Sequence, residues 1–99
     1  MKNGWIGQVG VWGQRHYEYL KATKPSVIGV MRMNGNLIPY LQSVDEQANE
    51  MVFQLVKQLA KQEGVTEELK RRDQMAWVGA MNNIRDRVNE IVLSEVIFV

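Results

Sequence analysis

Residues 37 to 62, LIPYLQSVDEQANEMVFQLVKQLAKQ, form the stretch on which the expected fold depends. Apolar side chains recur along it mostly in steps of three and four residues, the spacing that places them on one helical face. They are Leu37, Leu41, Val44, Ala48, Met51, Val52, Leu55 and Leu59. A helix of this length would extend for roughly 40 Å, at about 1.5 Å per residue. Such an apolar stripe needs a partner surface.

A second stripe of similar spacing follows Gly64, between Thr66 and Ser94. Its members are Leu69, Trp77, Met81, Ile84, Val88, Ile91 and Val92. Gly64 is expected to end the first helix and Thr66 to cap the next one. Two long stripes joined by so short a turn predict an antiparallel helical hairpin.

Two internal breaks of the long helices have to be considered. The string SVDE from Ser43 matches a capping box, so a helix could restart there. A continuous helix is favoured, because the apolar spacing runs through Val44 without a slip. In the second long helix the polar string KRRDQMA interrupts the stripe, so a kink near Arg72 is expected, with Asp73 capping the restart.

Two shorter helices are expected before the hairpin. Residues 12 to 22 place Trp12, His16, Tyr19 and Leu20 on one face, and Pro25 separates them from a helix over residues 26 to 33. Asn34-Gly35 would end that helix, and Asn36 is a candidate N-cap for the next. These helices would lie across the hairpin, with the apolar tail 96 to 99 packed back on the body.

The first residues read MKNGWIGQVGVWG, with glycine at every third position from Gly4 to Gly13. Glycine at this density disfavours a helix, so we expect a flexible N-terminal arm over residues 1–11 and one helical domain over residues 12–99. The expected fold class is therefore all-α: a small helical bundle built from the long hairpin and the two short helices.

Composition limits the function classes. The chain has 99 residues, a formal net charge of +1 and no cysteine, which excludes disulfides and thiolate chemistry. No long apolar run predicts a membrane span or a signal peptide, so the expected location is cytoplasmic. A domain this small buries only part of its surface, so a homodimer is also considered.

Catalytic patterns are missing from the sequence. His16 is the only histidine, and no serine stands in a nucleophile motif near it. The carboxylate pairs fall on polar helix faces, without the histidines that a di-metal bundle uses. We therefore expect no enzyme activity, no catalytic residues, no metal, no cofactor and no small-molecule substrate.

Basic and amide side chains are the most suggestive polar residues. Arginine and asparagine on a helix can contact bases, and lysine can contact phosphates. The candidate contact residues for nucleic acid or a partner protein are Arg15, Lys70, Arg71, Arg72, Asn82, Asn83, Arg85 and Arg87. Acids interleave with them, including Glu67, Asp73 and Asp86, and a mixed solvated surface is the competing interpretation.

Five strings of this chain resemble one known family. They are VWGQRHYEYL (11 to 20), VDEQANEM (44 to 51), LVKQLAKQEGVTEELK (55 to 70), QMAWVGAMNNIRDRVNEIV (74 to 92) and the closing SEVIFV. They resemble the TnpV family, small proteins encoded on conjugative and mobilisable transposons of Firmicutes. The glycine-spaced arm, Lys24-Pro25 and Gly29 depart from the family pattern.

The resemblance implies a bacterial, non-enzymatic accessory or regulatory protein of a mobile element. It would act by binding DNA, such as transposon ends, or an element-encoded recombinase or transfer protein. No helix-turn-helix spacing is evident, which weakens the DNA version. The alternative is a protein–protein interaction module, a homodimeric helical domain with no role at nucleic acid.

Overall fold

The computed structural model describes residues 6–99, and the side chains of residues 7–99, as helices joined by short turns. The helices are α1 (Val11–Thr23), α2 (Pro25–Met33), α3 (Leu37–Gln62), α4 (Glu67–Arg72) and α5 (Gln74–Val92). A 3₁₀ turn, Ile6–Gln8, precedes them, and a π-helical turn, Leu93–Ile97, follows. Residues 6–99 contain no strand, so the all-α expectation is confirmed.

The two glycine turns are where the sequence places them. Gly35 and Gly64 both have positive φ, at 73° and 71°, a conformation that glycine adopts without steric cost. After Gly64 the Val65 N–H donates to the Ala60 carbonyl at 2.8 Å, which closes the end of α3. Helix α3 itself is continuous through Ser43.

The break between α4 and α5 lies at Asp73. Its backbone leaves the helical region, at φ −150° and ψ 86°, and its carboxylate accepts the N–H of Ala76 at 3.1 Å. Thr66 likewise accepts the N–H of Leu69 at 3.3 Å at the start of α4. The interruption that the polar string indicates is thus a real break, with a capping side chain at each new start.

Two contacts fix the direction of α5 relative to α3. The Ile97 carbonyl, just beyond α5, bonds to His16, whose ring also bonds to Tyr40 in the first turn of α3. Arg87, within α5, bonds to Glu63 at the other end of α3. Helices α3 and α5 therefore run in opposite directions.

The interior consists of two clusters. One joins α1, α2 and the start of α3 through buried Val9, Tyr17, Leu20, Ile28, Leu37 and Leu41. The other joins α3 to α5 and the final turn, and its fully buried members are Ala48, Ile84, Val88, Val92 and Ile97. Helix α1, helix α2 and the final turn all pack on α3.

The molecule is elongated, with extents of 55 × 24 × 19 Å. Its radius of gyration is 17.1 Å, against about 13 Å for a compact domain of this length. The reason is that α1, α2 and the final turn all cover the first half of α3. We call the remainder, residues 51–80, the distal hairpin.

Within the expected arm over residues 1–11, Val9 is buried and Gln42 donates to the Gln8 carbonyl. Gly4 and Trp5 lie outside the described residues. Asn36 makes no side-chain cap, because its own backbone is already helical.

One member of the second stripe differs from expectation: Ile91 is 39% exposed, because its neighbour Val92 takes the buried position on α5. The apolar tail packs back on the body as expected. It does so through the π-helical turn, with Val96 and Ile97 buried and Phe98 half exposed.

Candidate functional site

The string VWGQRH builds the contact between α1 and the rest of the molecule. His16 is only 2% exposed, and both of its ring nitrogens are engaged. Nδ1–H donates to the Ile97 carbonyl at 2.8 Å, which leaves Nε2 to accept from the Tyr40 hydroxyl at 2.8 Å. Burial raises the pKa of Tyr40, so the phenol keeps its proton and can donate it. His16 is thus a structural junction of three segments.

Asp45 caps α1 from a different helix. The N-cap residue of α1, Gly10, has no side chain that could accept a hydrogen bond. Instead, the N–H of Gly13 donates to Asp45 Oδ1 at 3.1 Å. Asn49 holds the other carboxylate oxygen at 3.1 Å. A negative charge at a helix N-terminus satisfies its free N–H groups and its dipole. This cap is tertiary, so no local sequence signal indicates it.

Gly10 and Gly13 allow the close approach that this cap requires. A Cβ at Gly10 would overlap the Asp45 carboxylate. A Cβ at Gly13 would overlap the Val9 side chain and lie 2.6 Å from the Leu41 carbonyl oxygen. Two members of the glycine-spaced pattern therefore serve helix packing.

The predicted contact residues are spread over three helices. Arg15 is exposed on α1 with its guanidinium 5.2 Å from the centre of the Trp12 ring. Lys70 lies on α4 with its ammonium 4.7 Å from the centre of the Trp77 ring. Arg71 and Arg72 are exposed in the last turn of α4.

The four candidates on α5 point in different directions. Asn82, Asn83 and Arg85 are exposed, whereas Arg87 is half-buried and donates to Glu63 at 2.7 Å. At 100° per residue, Arg85 and Arg87 lie on opposite sides of the helix.

The Arg87–Glu63 contact has a visible electrostatic effect. The hydrogen bond from Arg87 lowers the pKa of Glu63 below its ordinary value, while partial desolvation opposes the shift. The same bond raises the pKa of Arg87. Both side chains are 41% exposed, so solvent screens the pair and its contribution to stability is small.

The distal hairpin has an exposed apolar surface that the apolar stripes of the sequence do not predict. Phe53 is 60% exposed and Val78 is 38% exposed. Phe53, Val56, Lys57 and Arg85 line a groove of about 410 Å³ together with Asn49 and Val52. Val78 lies two turns before Arg85 on the same side of α5. We call Phe53, Val56, Lys57, Val78 and Arg85 the open face.

The open face follows from how α3 is covered along its length. At 100° per residue, the apolar positions of the first half, Leu37 to Ala48, cover an arc of about 160°. The buried ones, Leu37, Leu41, Val44 and Ala48, cover about 60° of it. From Met51 to Ala60 the apolar positions, including Phe53, cover about 200°. That arc is wider than one neighbouring helix conceals. The apolar residues of this half are accordingly only partly buried.

Within residues 6–99, no three side chains of His, Asp or Glu gather as metal ligands would. Over the same residues, no helix has both the length and the apolar character that a bilayer crossing requires.

Curated relatives of this chain are much longer proteins. The ribosomal protein uS12 methylthiotransferase RimO of Rhodopseudomonas palustris is 35% identical over 66 residues, 67% of this chain and 15% of that protein. The protein of the same name from Acinetobacter baumannii is 34% identical over 65 residues, 66% of this chain and 14% of that protein. This chain thus spans about a seventh of the length of these relatives.

No solved structure matches the chain. A family model described as "Transposon-encoded protein TnpV" matches residues 3–97, which is nearly the whole sequence. This match agrees with the resemblance carried by VWGQRH and the strings that follow it. The chain therefore belongs to the TnpV family of transposon-encoded proteins.

Proposed function

We propose that this protein is a non-enzymatic accessory protein of its transposon, which acts by binding a helical segment of another polypeptide on the open face. One observation carries the proposal: Phe53 is 60% exposed in the middle of α3, beside a groove lined by Val52 and Val56. An exposed aromatic side chain next to a partly filled apolar groove is typical of a protein interaction site.

Binding is favoured over catalysis by the setting of the polar residues. His16, the only histidine, is buried with both nitrogens in hydrogen bonds within the fold. The three serines are exposed, and neither ring nitrogen of His16 bonds to one of them. A general base needs a nitrogen available to a reacting group.

The partner is an element-encoded recombination or transfer protein, or a second copy of this chain. A helix that fills the groove would contact Phe53 and Val56, with Lys57 and Arg85 at its edge. Amphipathic helices are held in grooves of this kind through anchors at spacings of three and four residues.

A capture experiment tests the proposal. Tagged full-length protein is expressed in cells that carry the element, and captured element-encoded proteins, including untagged copies of this chain, are quantified. We expect Phe53→Ser to lose the specific partner and Met33→Ser to retain it, since Met33 is 87% exposed on α2, away from the open face. Equal capture by both variants would overturn the proposal.

DNA is the second candidate partner. Arg71, Arg72, Asn82, Asn83 and Arg85 are all exposed, so they are accessible to a phosphate backbone and to base edges. Against this version, Asp73 and Asp86 are exposed among them. Their negative charge weakens attraction to phosphates.

Fluorescence anisotropy with transposon-end DNA distinguishes the two candidates. If DNA is the partner, affinity rises as salt falls, and combined Arg71→Ala and Arg85→Ala weakens binding at every salt concentration. The matched control is Arg32→Ala on α2, which is exposed and outside the candidate set. Absence of binding at low salt would exclude the DNA version.

A further inference from the structure

The outer side of α3 carries a charge pattern that no contact among residues 6–99 explains. Glu46, Glu50, Phe53, Lys57 and Lys61 follow one another at steps of four, three, four and four residues. At 100° per residue they occupy one strip about 80° wide. All five are exposed. We call the four charged members, Glu46, Glu50, Lys57 and Lys61, the charge stripe.

The charge stripe is antisymmetric about its centre. Glu46 and Lys61 are equally distant from the point between Phe53 and Gln54, and so are Glu50 and Lys57. Turning α3 end over end about that point places each acid where the corresponding base stood. A two-fold axis through the same point would therefore bring every acid of one copy opposite a base of the other.

The hollows beside Phe53 follow the same pattern. On its N-terminal side an open hollow of about 610 Å³ is lined by Glu46, Glu50 and polar neighbours. On its C-terminal side lies the groove with Lys57 and Arg85. The acidic part of the charge stripe, Glu46 and Glu50, thus lies beside one hollow, and Lys57 of its basic part lies beside the other. Phe53 lies between the two parts.

Within the described residues these charges have no opposite partner. The ion pair present in residues 6–99 joins Arg87 to Glu63. Glu50 accepts from Gln54 at 3.0 Å, and the Lys57 ammonium lies 5.8 Å from the centre of the Phe53 ring. The charge stripe can therefore pair with a partner surface that carries its charges in the reverse order.

We infer that the occupant of the open face is a second copy of this chain, with the two α3 helices packed antiparallel about a two-fold axis beside Phe53. In this dimer Glu46 faces Lys61 of the second copy, and Glu50 faces Lys57 of the second copy. The two Phe53 rings fill the apolar centre. The inference rests on the proposed function, because it names the partner of the same site.

The dimer explains the shape of the distal hairpin. Two hairpins joined along α3 form a four-helix arrangement in which the apolar arc of α3 contacts its own α5, and Phe53 at the edge of that arc contacts the second copy. An isologous interface needs one self-complementary patch. The charge stripe supplies it.

Charge reversal tests the inference on the full-length protein by sedimentation velocity at micromolar concentration. We expect a dimer for the unaltered chain. Glu50→Lys alone places two like-charged pairs across the axis and should weaken the dimer by about tenfold to a hundredfold. Lys57→Glu alone should do the same, with two carboxylate pairs. Glu90→Lys, at an exposed position on α5, should leave the dimer unchanged.

The decisive sample is an equimolar mixture of the two single variants. In a heterodimer of Glu50→Lys with Lys57→Glu both altered contacts are again between opposite charges, so dimer should return in the mixture. Circular dichroism of each variant shows whether it folds. A monomeric unaltered chain, or a mixture as dissociated as its components, overturns the inference.

The result also separates this inference from the proposed function. A monomer whose capture of an element-encoded protein still depends on Phe53 overturns the dimer and supports the proposed function. A monomer with no partner that depends on Phe53 overturns both. A dimer that is restored in the mixture supports both, because the second copy is then the bound polypeptide.

Discussion

At the scale of single residues, glycine decides how closely α1 approaches α3. Gly13 is buried, and a Cβ at this position would overlap Val9 and crowd the Leu41 carbonyl. Other residues of the string VWGQRH are also fixed by contacts inside the fold. Trp12 and His16 are buried, and Gln14 donates to the Val9 carbonyl at 2.6 Å.

Gly13→Ala should therefore lower the free energy of unfolding by about 2 kcal/mol, the usual cost of forcing atoms into a packed contact. Gly29→Ala is the matched control. Gly29 is also helical, but no atom lies within 4 Å of its added Cβ. The control should be neutral or stabilising, by up to about 1 kcal/mol. Chemical denaturation measures both, and equal effects would contradict the packing role.

Tyr40 contacts His16 through both its ring and its hydroxyl, and a phenylalanine at this position removes the hydroxyl alone. Tyr40→Phe leaves the buried Nε2 of His16 without its donor, which should cost about 1 kcal/mol of unfolding free energy. Tyr19→Phe is the control, because Tyr19 contacts His16 and Phe98 through its ring. If denaturation curves show that Tyr19→Phe lowers the free energy of unfolding as much as Tyr40→Phe or more, the hydrogen bond from Tyr40 to His16 does not stabilise the fold.

At the scale of elements, the N-terminus of a helix can be capped by a residue adjacent in sequence or by one from another helix. Thr66 and Asp73 cap their own helices, and local patterns indicate both. The N-terminus of α1 instead depends on Asp45 of α3. Such a cap couples the two helices, since α1 loses it if α3 moves away.

Asp45→Ala should lower the free energy of unfolding by about 1 kcal/mol, the typical value of an N-cap. Gln47→Ala, two residues along on the exposed side of α3, should change it little. If the two variants unfold at the same denaturant concentration, the tertiary cap is without energetic effect.

The bond between α3 and α5 predicts a shift at Glu63. Its pKa is depressed in the fold by Arg87, so its contribution to stability is present above the unfolded-state pKa and is lost as pH falls through the folded-state pKa. Replacing Arg87 by Met should raise the pKa of Glu63 toward its ordinary value. Carboxyl NMR titration measures this, with Arg71→Met as control; an unmoved pKa would exclude the bond in solution.

At the scale of the whole molecule, packing is uneven along the long axis. The first half of α3 is covered by α1 and the final turn, whereas the distal hairpin relies on α3, α4 and α5 alone. None of the six residues of α4 is buried. Local opening is easiest where few apolar groups are buried.

Hydrogen exchange should therefore be graded. Amides of α4 should exchange fastest among the helices of the hairpin, and those of Leu41–Ala48 and Ile84–Val92 slowest. The gradient should persist at low protein concentration, where any dimer dissociates. Uniform protection along the chain would contradict the division into a covered half and an open half.

The sequence by itself determined the elements of this protein. Periodicity, Gly35, Gly64, Thr66 and Asp73 are local signals, and they predict the helices and most of their ends because helix formation depends on nearby residues. The sequence also indicates the family, through strings such as VWGQRHYEYL. The residue types alone were enough to select candidate contact residues such as Arg15, Lys70 and Arg87. They could not predict that these residues lie on separate surfaces.

Only the tertiary structure decided which surfaces are covered. His16 meets Ile97 across 81 positions and Gly13 meets Asp45 across 32, contacts that no local pattern encodes. The same packing leaves Phe53 exposed, a residue that the apolar stripe of residues 37 to 62 does not include. Burial depends on how many helices reach a face, and that number follows from the way the whole chain folds back on itself.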